Sequence, residues 1–311
     1  MDVLGDILRL LRTEGHIHGR LELRGPFGFS FPTEGGHFLI VTRGTCFLTI
    51  DGKEAAALEG GDFVFLPTSK PFSLSSSDDV EHVRDFNADE AESYVRTGVI
   101  AFDGGAGARV SLVSGCFTFP APESYLLIEH LPAAVYLQAS GPHATPWTNG
   151  IVQLIVHETT HSGLGATAVI DRLAEVLFVH ALREHFGSAC PDRTPSWLRA
   201  LTDPRIGPSI RSIHSDPGRG WTVDELARSA GMSRSAFAAR FKAVAGTTPL
   251  EHLTRWRMAR AAGMMTGTRP AKLDVIAAAV GYESESSFRK AFREVMGASP
   301  SEYRGRVPES R

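Results

Sequence analysis

The sequence predicts an α+β multidomain protein, with an N-terminal β-barrel carrying packed helices and a C-terminal all-α domain holding a double helix-turn-helix. Three observations lead there. Short β-rich runs punctuated by Gly, Pro and Asp occupy residues 21–119. Apolar residues at helical three- and four-residue spacing take over from about 125 to 186. Finally, Phe237, Phe241, Gly246 and Pro249 are repeated 51 residues later as Phe288, Phe292, Gly297 and Pro300. The implied layout is an N-terminal domain over 1–186, with its barrel ending near 120 and a helical segment at 125–186. A linker at 187–208 and the doubled motif at 209–311 follow.

Composition bounds the class. The 311 residues are enough for two domains with separate cores, and 42% hydrophobic with 22% charged residues is ordinary for a globular chain. No apolar run is long enough to span a bilayer. The start, residues 1–12, suits an amphipathic helix better than a signal peptide. Cys46, Cys116 and Cys190 are an odd number without CxxC spacing, which favours a reducing cytoplasm over a disulfide framework or zinc ribbon. The net charge of −3 hides an asymmetry. From residue 204 onward there are 18 Lys and Arg against 10 Asp and Glu, leaving 14 against 25 in residues 1–203. A basic module behind an acidic one suits a nucleic-acid binder with a separate control domain.

In the N-terminal part, His37-Phe38-Leu39-Ile40-Val41-Thr42 and Cys46-Phe47-Leu48-Thr49-Ile50 read as strands joined by a hairpin signal at Arg43-Gly44-Thr45. Asp51-Gly52 offers two residues that tolerate positive φ, suited to a tight primed turn. Gly60-Gly61-Asp62 leads into the strand Phe63-Val64-Phe65-Leu66, and residues 109–119 give another. The stretch from Thr42 to Gly52, with Leu58-Glu59-Gly60-Gly61-Asp62 and Leu66-Pro67, resembles the cupin domain of AraC-type regulators. Metal-binding cupins converge several imidazoles and a carboxylate on one ion. This chain supplies only His37 near the first motif, and Phe72 stands where the second motif's His is expected. The expectation is therefore no metal and no cofactor, with the barrel holding a small organic effector or mediating contacts. Cys46 and Cys116 read as small buried hydrophobes, since redox sensing needs an exposed thiol of lowered pKa.

Two helices follow, over about 147–160 and 166–183. The second is apolar over more than one face, and in the resembling regulators this region dimerises. Between them His157-Glu158-Thr159-Thr160-His161 matches the zinc-protease signature H-E-x-x-H. Ser162-Gly163 follow at once, which puts His161 at a helix end, and the only arguable third ligand is Glu184. The alternative function is thus a metal-dependent cupin or H-E-x-x-H enzyme fused to a DNA-binding domain.

Residues 187–208 are rich in Pro, Gly, Ser and Asp and read as the joint, with a short helical turn at Trp197-Leu198-Arg199-Ala200-Leu201. A helix over 206–214 opens the last module. Thr222 and Glu225 form a capping box, Gly231 makes the first turn, Ser233 caps the first recognition helix and Gly246 ends it. A connecting helix spans 250–265, and the second copy has its turn at Val280-Gly281-Tyr282 and its recognition helix over about 283–296. This tandem arrangement, including Gly281-Tyr282-Glu283-Ser284-Glu285-Ser286-Ser287-Phe288 and Gly297-Ala298-Ser299-Pro300, resembles the AraC/XylS-type DNA-binding domain.

With both Phe pairs turned inward, Arg234, Ser235, Ala238 and Ala239 are the expected base-facing residues of the first helix. In the second they are Glu285, Ser286, Arg289 and Lys290. Ser233, Arg240, Lys242, Ser287 and Arg293 are expected on phosphates. No catalytic residue is expected. The resemblance implies a bacterial transcription regulator on promoter DNA, homodimeric, cytoplasmic and free of the membrane. A small-molecule effector and, for an activator, RNA polymerase complete the expected partners.

Overall fold

Alternation of Leu21 and Leu23 with Arg20, Glu22 and Arg24 gives β1 (Glu14–Arg24) one buried and one wetter face. It belongs to a computed structural model that describes residues 13–31, 36–68, 70–78, 83–85, 97–105, 107–119, 128, 131–140, 146–161, 163–186, 195–266 and 271–306. The expectations for residues 1–12, Cys190 and Ser162 lie outside the described residues. The chain divides into two units, one of Thr13–Thr118 with Leu131–His185, the other built on Phe186–Arg311.

The first unit continues with β2 (Gly28–Phe31), β3 (His37–Arg43), β4 (Thr45–Ile50), β5 (Ala56–Glu59) and β6 (Phe63–Leu66). Then come β7 (Phe72–Ser75), β8 (Arg84–Asp85), β9 (Val99–Asp103), β10 (Arg109–Thr118) and β11 (Val135–Leu137). They form a six-stranded sheet in the order β11-β6-β3-β10-β1-β9 and a five-stranded sheet in the order β5-β4-β7-β2-β8. Leu21, Leu39, Val64 and Leu112 of the first meet Phe29, Cys46, Leu58 and Leu74 of the second in one core. The barrel is therefore two cupin-like sheets facing each other and not a closed cylinder; among the described residues no ladder joins their edges.

The expected hairpin at Arg43-Gly44-Thr45 is absent. β3 pairs with β10 and β6, while β4 pairs with β5 and β7. Gly44 is instead the corner between sheets. Its φ is +82°, and a Cβ there would lie 2.3 Å from the Arg109 carbonyl oxygen. The Asp51-Gly52 turn is as expected, with φ of 56° and 67°, and it joins β4 to β5.

Two helices cover the outer face of the larger sheet, α1 (Pro146–His161) and α2 (Ala166–Phe186). Phe178 of α2 packs 4.8 Å from Phe65 and 4.7 Å from Phe117, ring centre to ring centre. With both faces covered, Phe63-Val64-Phe65-Leu66 is buried throughout, which explains an apolar run where one-sided strands alternate. Asp171 and Glu175 of α2 accept from the backbone N–H groups of Ile17 and Gly15, satisfying part of β1 that β9 does not reach. The helical reading of 125–186 missed β11, whose Val135 and Leu137 are buried beside β6. Cys46 is fully buried, and burial followed by the nearby Asp62 charge pushes its thiol up to about 12. No helix among the described residues is long and apolar enough to cross a membrane.

Candidate nucleic-acid interface

The second unit holds α3 (Trp197–Thr202), α4 (Gly207–Ser215), α5 (Val223–Ser229), α6 (Arg234–Ala245), α7 (Pro249–Thr266), α8 (Leu273–Ala279), α9 (Glu285–Met296) and α10 (Pro300–Arg306). α3 falls within the expected linker, yet Trp197, Leu198 and Ala200 are buried and the helix packs on α4 and α6. Pro and Gly in the surrounding sequence obscured the fact that its apolar residues need a core.

Local chemistry sets each recognition helix. The Thr222 hydroxyl accepts from the Glu225 N–H at 3.2 Å, while the Glu225 carboxylate accepts from the Thr222 N–H at 2.9 Å, completing the capping box of α5. Such a cap contributes roughly 1 kcal/mol. The Thr222 backbone donor, then its hydroxyl and Arg219, hold the Glu225 carboxyl below its usual range. The second copy lacks this device, for Lys272 is the α8 N-cap and makes no side-chain cap bond. Gly231 turns the chain with φ +64°. Ser233 then caps α6 by accepting from Ala236, and Ser284 caps α9 by accepting from Ser287. The second recognition helix thus starts at Glu285 and not at Glu283, because the Ser284 side chain takes the end donors. Helices α6 and α9 correspond at an offset of 51, but the turns Gly231 and Gly281 correspond at 50, so the second turn holds one extra residue. Phe237, Phe241, Phe288 and Phe292 are all fully buried.

Opposite the Phe pair, the 100° turn per residue lines up Ser235, Ala239 and Lys242 on α6, all exposed. The same positions on α9 are Ser286, Lys290 and Arg293, also exposed. Ala238 is half-buried on the flank of α6, and Glu285 is half-buried at the start of α9. Ala243 and Glu294 share the outward faces and were not singled out in the sequence. Plain helical arithmetic would have found them.

Charge pairing differs between copies. Arg234 reaches Asp224 at 3.2 Å, both exposed. Arg289 donates through Nε to Glu285 at 2.8 Å, so two expected base-facing residues occupy each other. Arg240 donates through Nη2 to Asp203 at 2.7 Å. Lys290 and Arg293 make no ion pair with a described residue. Burial works to raise the Asp203 carboxyl, but the Arg240 guanidinium and the N–H groups of Ile206 and Arg205 outweigh it and hold it low.

The metal alternative finds little geometry. His161 is the last residue of α1, as its sequence context predicts, and its Nδ1 lies 2.9 Å from the His157 carbonyl oxygen. Both histidines are exposed, and among the described residues no group of three or more His, Cys, Asp or Glu is arranged to hold a metal ion.

Residues 2–187 match the family described as Cupin, and residues 226–306 match the Helix-turn-helix domain family. A putative AraC-like transcription regulator of Streptomyces antibioticus is 38% identical over 309 residues, covering 98% of each chain. The chain belongs to the AraC-like transcription regulators. Another relative of this regulator is the RCS-specific HTH-type transcriptional activator RclR of Escherichia coli (strain K12), 30% identical over 315 residues, covering 99% of this chain and 98% of that one. Among solved structures, the DNA-binding domain of AdpA, the global transcriptional factor, in complex with a target DNA, is 29% identical, covers 32% of this chain and 90% of that chain, and has a TM-score of 0.31. The regulator is a DNA-binding transcription factor with a cupin domain ahead of two helix-turn-helix motifs.

Proposed function

We propose that one chain reads an asymmetric bipartite promoter site, with α6 on one half and α9 on the other. The observation that carries this reading is the exposed Ser286-Lys290-Arg293 line on α9, set against Ser235-Ala239-Lys242 at the same helical positions of α6. Lys290 presents a long donor to base edges, whereas Ala239 offers only a methyl, suited to thymine. Ser235 and Ser286 on these lines and Ala238 beside them are further base-facing candidates, and Arg234, Glu285 and Arg289 join them once their present ion pairs open on DNA. Ser233, Lys242, Ser287 and Arg293 fix register through phosphates, and Arg240 joins them only when Asp203 releases it.

The N-terminal unit supplies control without catalysis, by binding a small organic effector, by pairing two chains, or both. Trp147, Leu154, Val169 and Val176 expose apolar surface on α1 and α2, which supports a homodimer. The protein works in the bacterial cytoplasm on nucleoid DNA, and as an activator it would contact RNA polymerase. The test is anisotropy of the full chain on a duplex selected from a random pool, titrated with salt. The expected result is a log–log slope of several phosphate equivalents, at about 0.9 each. A flat salt response would reject the reading.

A further inference from the structure

Arg257 lies on α7, the single helix between the two motifs, and its half-buried side chain holds parts of both. Its Nε donates to the Pro217 carbonyl at 2.7 Å and its Nη2 to the Arg219 carbonyl at 2.9 Å. Those carbonyls belong to the loop between α4 and α5, in the first motif's half. The same guanidinium sits 5.7 Å from the ring centre of Tyr282, in the turn of the second motif. One planar fork therefore touches the connecting helix, the loop before the first motif and the turn of the second.

The backbone closes the same joint. Gly281 has φ +80°, and a Cβ on it would lie 2.4 Å from the Gly218 carbonyl oxygen and 2.7 Å from Arg257 Nη2. A Cβ on Gly218 would lie 2.7 Å from the Ala279 carbonyl oxygen. Loop and turn thus meet backbone to backbone, with no room for a side chain. The loop is also tied back to the first motif. Arg219 stacks 4.1 Å over the Trp221 ring and pairs with Glu225 at 3.2 Å, while Trp221 Nε1 donates to the Asp216 carbonyl at 2.8 Å.

Two reading helices joined by one helix can swing relative to each other, and on DNA that freedom must be given up as lost entropy. A bridge that removes it beforehand makes the second half-site an intramolecular contact at one separation only. We propose that Arg257, closing the Gly218–Gly281 contact, is the positioning residue that fixes the separation of α6 and α9, so that the regulator tolerates only one half-site spacing. This rests on the bipartite reading above.

The test uses the full chain and duplexes selected by it from a random pool, at the selected spacing, with one or two base pairs inserted, and as single half-sites. The wild type is expected to lose about tenfold or more per inserted base pair. Arg257→Ala is expected to lose about tenfold on the selected site, keep its half-site affinities, and bind the inserted sites within about twofold of the selected one. Arg257→Lys keeps the charge but cannot span both carbonyls with one fork, so it is expected to behave the same way if the alanine variant melts too low to assay. Full spacing discrimination in either variant would overturn the proposal, as would half-site losses as large as the bipartite loss. A wild type that binds only one half-site would instead overturn the bipartite reading.

Discussion

Arg240 on the first recognition helix is held by Asp203, whose carboxylate accepts from Nη2 at 2.7 Å and from Nε at 3.5 Å. The Asp203 side chain is only 11% exposed and also accepts from the N–H groups of Arg205 and Ile206. An arginine expected on phosphate is thus neutralised by the residue that ends α3. Asp203→Asn is expected to lower stability by about 1 kcal/mol and to free Arg240 for DNA. In salt titrations of non-specific binding the slope should steepen by about 0.9, the share of one phosphate. An unchanged slope would mean that Arg240 does not meet the backbone.

Lys290 and Arg293 lie on one exposed line yet should fail differently. Lys290→Ala is expected to cost about 1–3 kcal/mol on the selected site and to relax preference at one or two base positions. Arg293→Ala should weaken all sequences alike and reduce the salt slope by about 0.9. Competition against single-base variants of the site separates the two, and equal loss on every sequence for Lys290→Ala would remove it from the base-reading set.

Stability of the second unit should fall in mild acid. His214 is half-buried, its ring stacked 3.7 Å from Trp256 at 13°, and its Nε2 lies 2.9 Å from His252 Nε2. Burial first, then the neighbouring His252, holds its pKa well below the ordinary value. The unfolded chain takes up that proton near about 6.5, so the stabilisation is complete above this pH and is lost progressively as pH falls below it. Thermal melting from pH 7.5 to 5 should show the decline, and His214→Phe, which keeps a ring against Trp256, should flatten it. Parallel pH profiles for both proteins would exclude His214 as the cause.

What was legible in the sequence is what depends on neighbours along the chain. Thr222 with Glu225, Ser233, Gly231, Gly246 and the two Phe pairs act within a few residues, and their spacing states their roles. The joint at Gly44 was not legible, because strands adjacent in sequence suggest a hairpin, and only the Arg109 backbone forces the corner. β11 is three residues long, too short for a periodic signal, and exists because β6 needs a neighbour. Asp203 and Arg257 act across 37 and 40 residues on Arg240 and Pro217. A Pro-rich context hid the first, and a helix interior hid the second. The reading faces were legible in outline, and the Glu285–Arg289 pair is one that i,i+4 spacing offers, but the Arg234–Asp224 pair crosses from α6 to α5 and depends on side-chain reach that spacing alone does not give.

The central claim is that one scaffold, repeated at an offset of 51, presents two different reading faces. The most direct measurement is selection from a random duplex pool by the full chain, beside a triple variant Arg234→Glu, Ala238→Arg and Ala239→Lys that gives α6 the four base-facing residues proposed for α9. The wild type is expected to enrich two unlike half-sites about one helical turn apart. The variant should enrich two copies of the half-site read by α9. Identical half-sites for the wild type, or an unchanged asymmetric site for the variant, would contradict it.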